Sequence, residues 1–420
     1  MIGMRKPILT IFYQFNPWQT SIGGIQTVIR SFVKYSPNEF EVRLVGTESE
    51  PNNPLGVWRD TELAGKAIRF MPLFTLRNDN TRNLIPTSVK YTTALFGRRI
   101  ASDFMHFHRL EPTLATLNWS GEKTLFVHND IQKQIDSAGN KDAILWQRFP
   151  TAYLALERLL VGQFAQILSC NTESLQHYRE RYPKIAERIS YIKNTVDNEI
   201  FYPLTLDKRE QGRRLLAQQM GLAADTRFIL FAGRLHAQKD PALLLYSFAA
   251  LNDPKAHLII AGDGDLRDEI KEKIGFLGLS KQVTMLGAIA PDELAQLLRV
   301  VSVFVLTSAY EGLPVVVLEA LACGTPIVTT RCGETPNLLS AKSGVVCQER
   351  SPEAIADALR QVLLQPDDYP IKACVQAAEP YSAQSVVGSV YSDMWVRWQQ
   401  QNSLSNTQTR PTTITNSASL

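Results

Sequence analysis

Short unbroken apolar runs recur along this chain, with amphipathic helical stretches between them. That alternation is the pattern of βαβ units stacked into parallel sheets, giving an α/β chain. In the first half, strands are expected at Ile8–Tyr13, Glu41–Val45, Ala67–Met71, Asp103–Phe107, Thr124–Val127, Gln166–Ser169 and Ser190–Ile192. In the second half they are expected at Arg227–Ala232, His257–Ala261, Val283–Leu286, Ser302–Leu306, Ile327–Thr329 and Val345–Val346. The later runs are rich in Val, Ile, Leu and Phe without alternation, as strands covered on both faces require. A chain of 420 residues exceeds one ordinary α/β core and divides into two. The break falls near Asn194–Pro203, where Asn, Asp and Pro interrupt the periodic segments. Residues 1–197 and 198–380 are the expected domains. A helix over 381–401, carrying Tyr391, Trp395 and Trp398 at near-helical spacing, is expected to pack back on the first domain. Residues 402–420 are nearly all Ser, Thr, Asn and Gln, and a disordered tail is expected there.

Charge narrows the partners. The chain has 44 basic and 41 acidic residues, net +3, too weak a balance to argue for nucleic acid. Residues 1–197 hold 24 Lys/Arg and 18 Asp/Glu, a net of +6, which leaves −3 for the remainder. A mildly basic first half suits an anionic acceptor or a peripheral contact with a membrane face, and ordinary solvated surface is the alternative. The five cysteines include no C-x-x-C pair, so neither a zinc site nor a disulfide framework is indicated. Cys170 and Cys323 lie in apolar runs and read as buried thiols, which fits a cytoplasmic location. Met1–Pro7 leads directly into a strand-like run, so no signal peptide is expected. No apolar stretch reaches the ~20 residues of a membrane span.

Ligands of open α/β sheets bind beyond the carboxyl ends of the strands, so the residues that follow each strand matter most. After Arg227–Ala232 come Gly233, Arg234 and, five residues later, Lys239, with Asp240-Pro241 starting a helix. Gly233 permits a tight turn, and two cations on one strand-end loop suit a diphosphate. A solvated basic loop is the alternative. After Ser302–Leu306 comes Thr307 to Pro314, then the helical run Val315–Ala322, closed by Gly324 and Pro326. The free amides at the start of such a helix form an anion site. Glu319 is the one polar residue of this apolar helix, and a buried carboxylate is unfavourable without a partner. A ribose would supply hydroxyls. An internal pair with an arginine or a backbone amide is the alternative. Glu311 lies eight positions earlier at the loop mouth, in reach of a sugar hydroxyl on the same ligand.

The run EGLPVVVLE, from Glu311 to Glu319, matches the Glu, seven residues, Glu signature of retaining glycosyltransferases of family 4, the glycosyl transferases group 1. GRLHAQK resembles that family's phosphate motif. LIIAGDG, VTMLGAI, ALACGTPIV and KNTVDNEIFYP fall in the expected order, and the first half adds GGIQTVIRSF, HFHRLEP and VHNDIQ. The resemblance spans roughly residues 8–400 and is more specific in the second half. It implies a GT-B fold, in which two Rossmann-like domains face each other across a cleft, the first on the acceptor side and the second binding the nucleotide sugar. It also implies a hexosyltransferase acting in polysaccharide or glycolipid synthesis. The donor would be UDP- or GDP-linked, the acceptor a glycan or lipid-linked hydroxyl, with no cofactor and no metal. Cytoplasmic residence, peripheral at the inner membrane face, goes with that reading. By the same resemblance Glu319 would hold the ribose and Glu311 the transferred sugar. Arg234 and Lys239 would bind the diphosphate beside Gly233. Amides of Gly312 and Leu313 would support the donor, Gly23-Gly24 would approach the phosphate from the other domain, and His128 would contact the sugar. Leu286 and Gly287 would wall the base. One departure is Asn194-Thr195, where the family usually has Asn-Gly.

Two other motifs mislead. Asp263-Gly264-Asp265 spells a metal-binding D-x-D, yet it follows an apolar strand where a Gly-x-Gly turn is the expected reading. The run Gly262 to Arg267 lacks the last glycine of a dinucleotide fingerprint, which argues against a nicotinamide enzyme. His106 and His108 are taken to face opposite sides of their strand, with one in reach of the cleft and a structural role for either as the alternative. The rivals to a glycosyltransferase are a sugar-nucleotide epimerase on the same scaffold and a non-catalytic nucleotide-sugar-binding protein.

Overall fold

The apolar runs become fourteen strands in the computed structural model, which describes residues 5–19, 23–76, 86–128 and 149–408. The first sheet contains β1 (Ile8–Phe12), β2 (Glu41–Glu48), β3 (Arg59–Leu63), β4 (Lys66–Thr75), β5 (Phe104–Phe107), β6 (Glu122–Val127), β7 (Gln166–Ser169) and β8 (Ile189–Tyr191). Its order is β3-β4-β2-β1-β5-β6-β7-β8. The second contains β9 (Arg227–Ala232), β10 (Ala256–Ala261), β11 (Val283–Gly287), β12 (Val303–Leu306), β13 (Ile327–Thr330) and β14 (Gly344–Cys347), in the order β11-β10-β9-β12-β13-β14. Every pairing is parallel except β3 with β4.

Burial explains this regularity. Phe228 to Phe231 are 0% exposed, and all six residues of β10 are buried, as a sheet covered on both faces demands. Each such side chain contributes about 1.5–3 kcal/mol on burial. The strand missing from the sequence reading, β3, is the exception. It is polar and half-exposed, and it turns back onto β4 through Ala64-Gly65, both with positive φ, 52° and 76°. That is the two-residue turn favoured by hairpins.

Two chain crossings join the sheets side by side. Val196 bridges to Ser382, with Val196 N donating to Tyr381 O at 2.9 Å and Ala383 N to Val196 O at 2.9 Å. The last helix, Ala383–Gln408, then lies against the first sheet's layer. Tyr391 is 1% exposed, donates to Phe32 O at 2.8 Å and meets Phe40 edge-on at 4.9 Å, while Trp398 is buried and Arg397 pairs with Glu122 at 2.8 Å. This helix runs beyond the expected limit of 401, through residues 402–408 that the sequence reading placed in the tail. Asn402 and Ser403 bond back to the carbonyls of Trp398 and Gln399, each at 2.8 Å, which favours continued helix in a polar stretch. The rest of the tail, 409–420, lies outside the described residues. Among the described residues, no helix is long and apolar enough to cross a membrane, and all five cysteines are buried and unbridged.

Candidate active site

The carboxyl ends of β9 and β12 are neighbours in the second sheet, so the loops that follow them meet. The Lys239 ammonium pairs with Glu311 Oε1 at 2.5 Å, and Ser308 Oγ donates to the same oxygen at 2.7 Å. Gln238 Nε2 donates to Tyr310 O at 3.0 Å, Ala309 N to Gln238 O at 2.8 Å, and Thr307 Oγ1 to Lys239 O at 2.9 Å. These bonds weld the two loops. Lys239 and Glu311 are both largely buried, so their attraction is screened less than a surface pair. Arg234 stands exposed on the same loop, two residues past β9. Gly233 is half-buried, with Lys239 methylenes 3.5 Å from where a Cβ would sit.

The helix Val315–Ala322 starts directly after this loop, with Pro314 in the capping position rather than the first turn. Its first amides are free of helical partners because no earlier carbonyl is in place. Glu319, on its second turn, is 6% exposed. Among the described residues nothing donates a hydrogen bond or a counter-charge to its carboxylate, and burial alone pushes its pKa up to about 8. Among the described residues, no structural ion pair holds Glu319. Arg209, a deeply buried guanidinium near this helix, is committed elsewhere: to Gly324 O at 2.7 Å, Val301 O at 2.7 Å and Thr325 Oγ1 at 2.9 Å. It caps helix ends, a role no motif signals.

The first domain reaches this loop from across the cleft. Gly24 opens the helix Gly24–Lys34, and a Cβ there would lie 3.1 Å from Val315, so Gly23-Gly24 faces the start of the Glu319 helix. A Cβ on Gly312 would lie 2.3 Å from His128 O, so only glycine permits this approach. Asn194 Nδ2 donates to Leu313 O at 2.6 Å, and the Cys170 thiol, which burial pushes up to about 12, donates to His128 O at 3.3 Å. The Leu313 carbonyl is thus engaged across the cleft. Glu334 was missed by the sequence reading. Its backbone N donates to Gly312 O at 2.9 Å, and its Oε1 accepts from Thr172 N at 2.6 Å and Thr172 Oγ1 at 2.5 Å. A carboxylate from one domain therefore sits on a helix N-terminus of the other, where the helix dipole favours it.

His128 Nε2 and His108 Nδ1 are hydrogen-bonded at 2.8 Å, one ring donating to the other, and the two rings stack at 5.1 Å. Burial, with Arg109 nearby, brings His128 down to about 4, and burial brings His106 down to about 3. His106 and His108 both pack on Phe126, at 4.9 and 4.8 Å. The expectation that they face opposite sides was wrong, since residues two apart on a strand share a face. Leu286 is 42% exposed and Gly287 has φ 73° at the end of β11, the edge strand; Gly287 O accepts from Gly262 N at 2.7 Å. Asp263 folds into its own turn: its Oδ1 accepts from Gly264 N at 2.9 Å and its Oδ2 pairs with Arg267 at 3.1 Å. A Cβ on Gly264 would lie 2.5 Å from Leu235 O, which explains the glycine without a metal. Among the described residues, no three His, Cys, Asp or Glu side chains are grouped to hold an ion.

Residues 213–379 match the family model of glycosyl transferases group 1. That segment is a group 1 glycosyltransferase segment. The whole chain is similar to sucrose-phosphate synthase from Thermosynechococcus elongatus, with TM-score 0.74 and 17% identity over 95% of this chain and 100% of that one. It is also similar to Anabaena HepE in complex with UDP-glucose, with TM-score 0.65 and 16% identity over 94% and 99% of the two chains. The fold is GT-B. In sequence, the chain is 33% identical over 231 residues to the D-inositol 3-phosphate glycosyltransferase of Corynebacterium urealyticum, covering 52% of this chain and 53% of that protein. It is 30% identical over 225 residues to the enzyme of that name from Corynebacterium glutamicum, covering 51% and 53%. The matched stretch thus spans about half the length of these relatives. The matched segment contains Arg234, Lys239, Glu311 and Glu319.

Proposed function

We propose that this protein is a retaining hexosyltransferase, moving a sugar from a UDP- or GDP-linked donor to a hydroxyl of a glycan or lipid-linked acceptor, without a metal. The observation that carries this reading is Glu319, a buried carboxylate with no partner among the described residues. Ribose hydroxyls would donate to it. The Lys239–Glu311 pair is the second support. A donor diphosphate would replace Glu311 as the partner of Lys239, with Arg234 beside it, and Glu311 would turn to a hydroxyl of the sugar. In the reaction, the bond from the anomeric carbon to the diphosphate oxygen breaks and the acceptor oxygen bonds to that carbon. The acceptor proton passes to the departing diphosphate on the same face, which gives retention. Charge grows on the diphosphate as it leaves, so the cations and the helix amides act where they lower the barrier. His128, held near neutrality, is a hydrogen-bonding group beside the sugar rather than a charge. That the cited HepE structure contains UDP-glucose accords with such a donor.

The test is a thermal-shift panel of nucleotide sugars on wild type and Glu319→Ala, followed by NMR of the product's anomeric carbon. One nucleotide sugar should stabilise the wild type and not the variant, and the product should keep the donor's configuration. Equal stabilisation of both proteins would remove Glu319 from the site. An inverted product would overturn retention.

A further inference from the structure

Glu334 touches both domains, with two different groups. Its backbone N donates to Gly312 O at 2.9 Å within the second domain. Its carboxylate crosses to the first, where Oε1 accepts from Thr172 N at 2.6 Å and from Thr172 Oγ1 at 2.5 Å. The residue is 7% exposed. Asn337 Nδ2 donates to the other oxygen, Oε2, at 3.2 Å, which keeps the carboxylate turned toward Thr172.

The first domain is built to receive this group. The helix Thr172–Arg181 already carries its own cap, since the Asn171 side chain accepts from Ser174 N at 2.7 Å. That leaves the Thr172 amide, the first of the helix, for an outside acceptor. A carboxylate there gains two charge-assisted hydrogen bonds at the favourable end of the helix dipole. Because the helix is capped without Glu334, what this contact adds is a join between the domains.

The second domain carries that join to the candidate site. Gly333 has φ 56°, and a Cβ on it would collide with Gly312 O and lie 2.5 Å from Glu311 O. Residues 333–334 and 311–312 are thus pressed backbone to backbone, and close-packed segments of this kind shift together. Gly312 in turn lies against His128 O of the first domain. We propose that Glu334 is a positioning residue for sugar transfer: its grip on Thr172 holds the domains closed, and its amide thereby fixes Gly312 and Glu311 against His128. This rests on the glycosyltransferase reading above and deepens it. Binding of the nucleotide by Arg234, Lys239 and Glu319, all in the second domain, does not need the grip. Transfer does, because the sugar is held from both sides.

The experiment reads the full chain in two ways. Small-angle X-ray scattering reads closure with no ligand added. Release of UDP or GDP from a panel of UDP- and GDP-sugars in water, with no acceptor, reads turnover. Glu334→Ala should have a larger radius of gyration than wild type, and its kcat should fall about ten-fold or more with KM within about two-fold. Glu334→Gln keeps an oxygen for the Thr172 amide, so it should stay compact and retain most of the turnover. Thr172→Val removes only the hydroxyl bond, at an exposed position, and should fall between wild type and Glu334→Ala; it carries the test if Glu334→Ala does not fold. Added to Glu334→Ala it should cost nothing more, because both remove one contact. A Glu334→Ala chain as compact as wild type, or a raised KM with unchanged kcat, would overturn the proposal. So would additive losses in the double variant, or a lower melting temperature with wild-type kcat, which would make the contact structural only. No nucleotide released by wild type would sink the glycosyltransferase reading and this role together. Release by wild type, with Glu334→Ala indifferent, would sink this role alone.

Discussion

Replacing Glu319 by Gln should stabilise the ligand-free protein at pH 8 and weaken its hold on the donor. Burial raises the Glu319 pKa from the usual 4.5 to about 8. Between those values the folded state keeps a proton that the unfolded state releases, so stability falls as pH rises from about 4.5 to about 8. A shift of this size corresponds to about 5 kcal/mol as an upper bound. Water at the cleft mouth reduces it to roughly 2–4 kcal/mol. Gln fills the same space without the titration, so Glu319→Gln should unfold later than wild type at pH 8, by roughly 2–4 °C per kcal/mol. At pH 4 the two should unfold alike. Donor binding reverses the order. Ribose hydroxyls donate to the carboxylate, so binding lowers its pKa and expels the proton. Donor affinity should rise with pH toward 8, and calorimetry at pH 7 in two buffers of different ionisation enthalpy should show close to one proton released. The Gln variant should release none and bind more weakly, and Ala more weakly again. A Gln variant less stable than wild type at pH 8 would refute the reasoning, because it would mean that the carboxylate has a structural counter-charge.

Arg234→Ala and Lys239→Ala should each lower turnover by ~10²–10³; the exposed Arg234 should leave the melting temperature little changed, whereas Lys239→Ala should lower it, because Glu311 loses its buried partner; wild-type rates would remove that loop from the site. Turnover should survive excess chelator, and a complete loss restored by manganese would return Asp263 and Asp265 to consideration as ligands. The protein should lose stability as pH falls from about 6.5 toward 3, because His106 and His128 are neutral when folded and take protons when unfolded. Denaturant titrations of wild type and His106→Leu at pH 6.5 and 5 check this: the wild type alone should lose about 2 kcal/mol from that residue.

The second domain was the more legible half, for a physical reason. Its strands are continuous apolar runs because both sheet faces are covered, and its loops carry residues with distinct chemistry, Lys239, Glu311 and Glu319, at fixed offsets from strand ends. The first domain shows the limits. β3 is polar and held by a hairpin turn and by pairing to β4, so it carries no apolar signal. The pairing of His106 with His108 on one face was legible from strand geometry and was misread. Glu334 had no signal at all. A lone acidic residue before Thr335-Pro336 becomes informative only when the other domain brings Thr172 to it.

That last contact bears on how the cleft works. The loop Glu311–Leu313 is touched at every residue by something other than its own strand. Lys239 and Ser308 hold the Glu311 side chain. The Gly312 carbonyl accepts from Glu334, and its Cα lies against His128 O. The Leu313 carbonyl accepts from Asn194. His128, Thr172 and Asn194 all come from before the crossing at Val196, so two of the three loop residues are positioned directly by the first domain, and Glu334 ties the second grip to Thr172. The group that would bind the donor sugar is thus set on a backbone whose position depends on the domains being together. Opening the cleft would release Gly312 and Leu313 at once while leaving the Lys239–Glu311 pair intact, because both of its members belong to the second domain. The chemistry of charge and the mechanics of closure therefore meet in one three-residue loop, and glycine at 312 is what lets the two domains close on it.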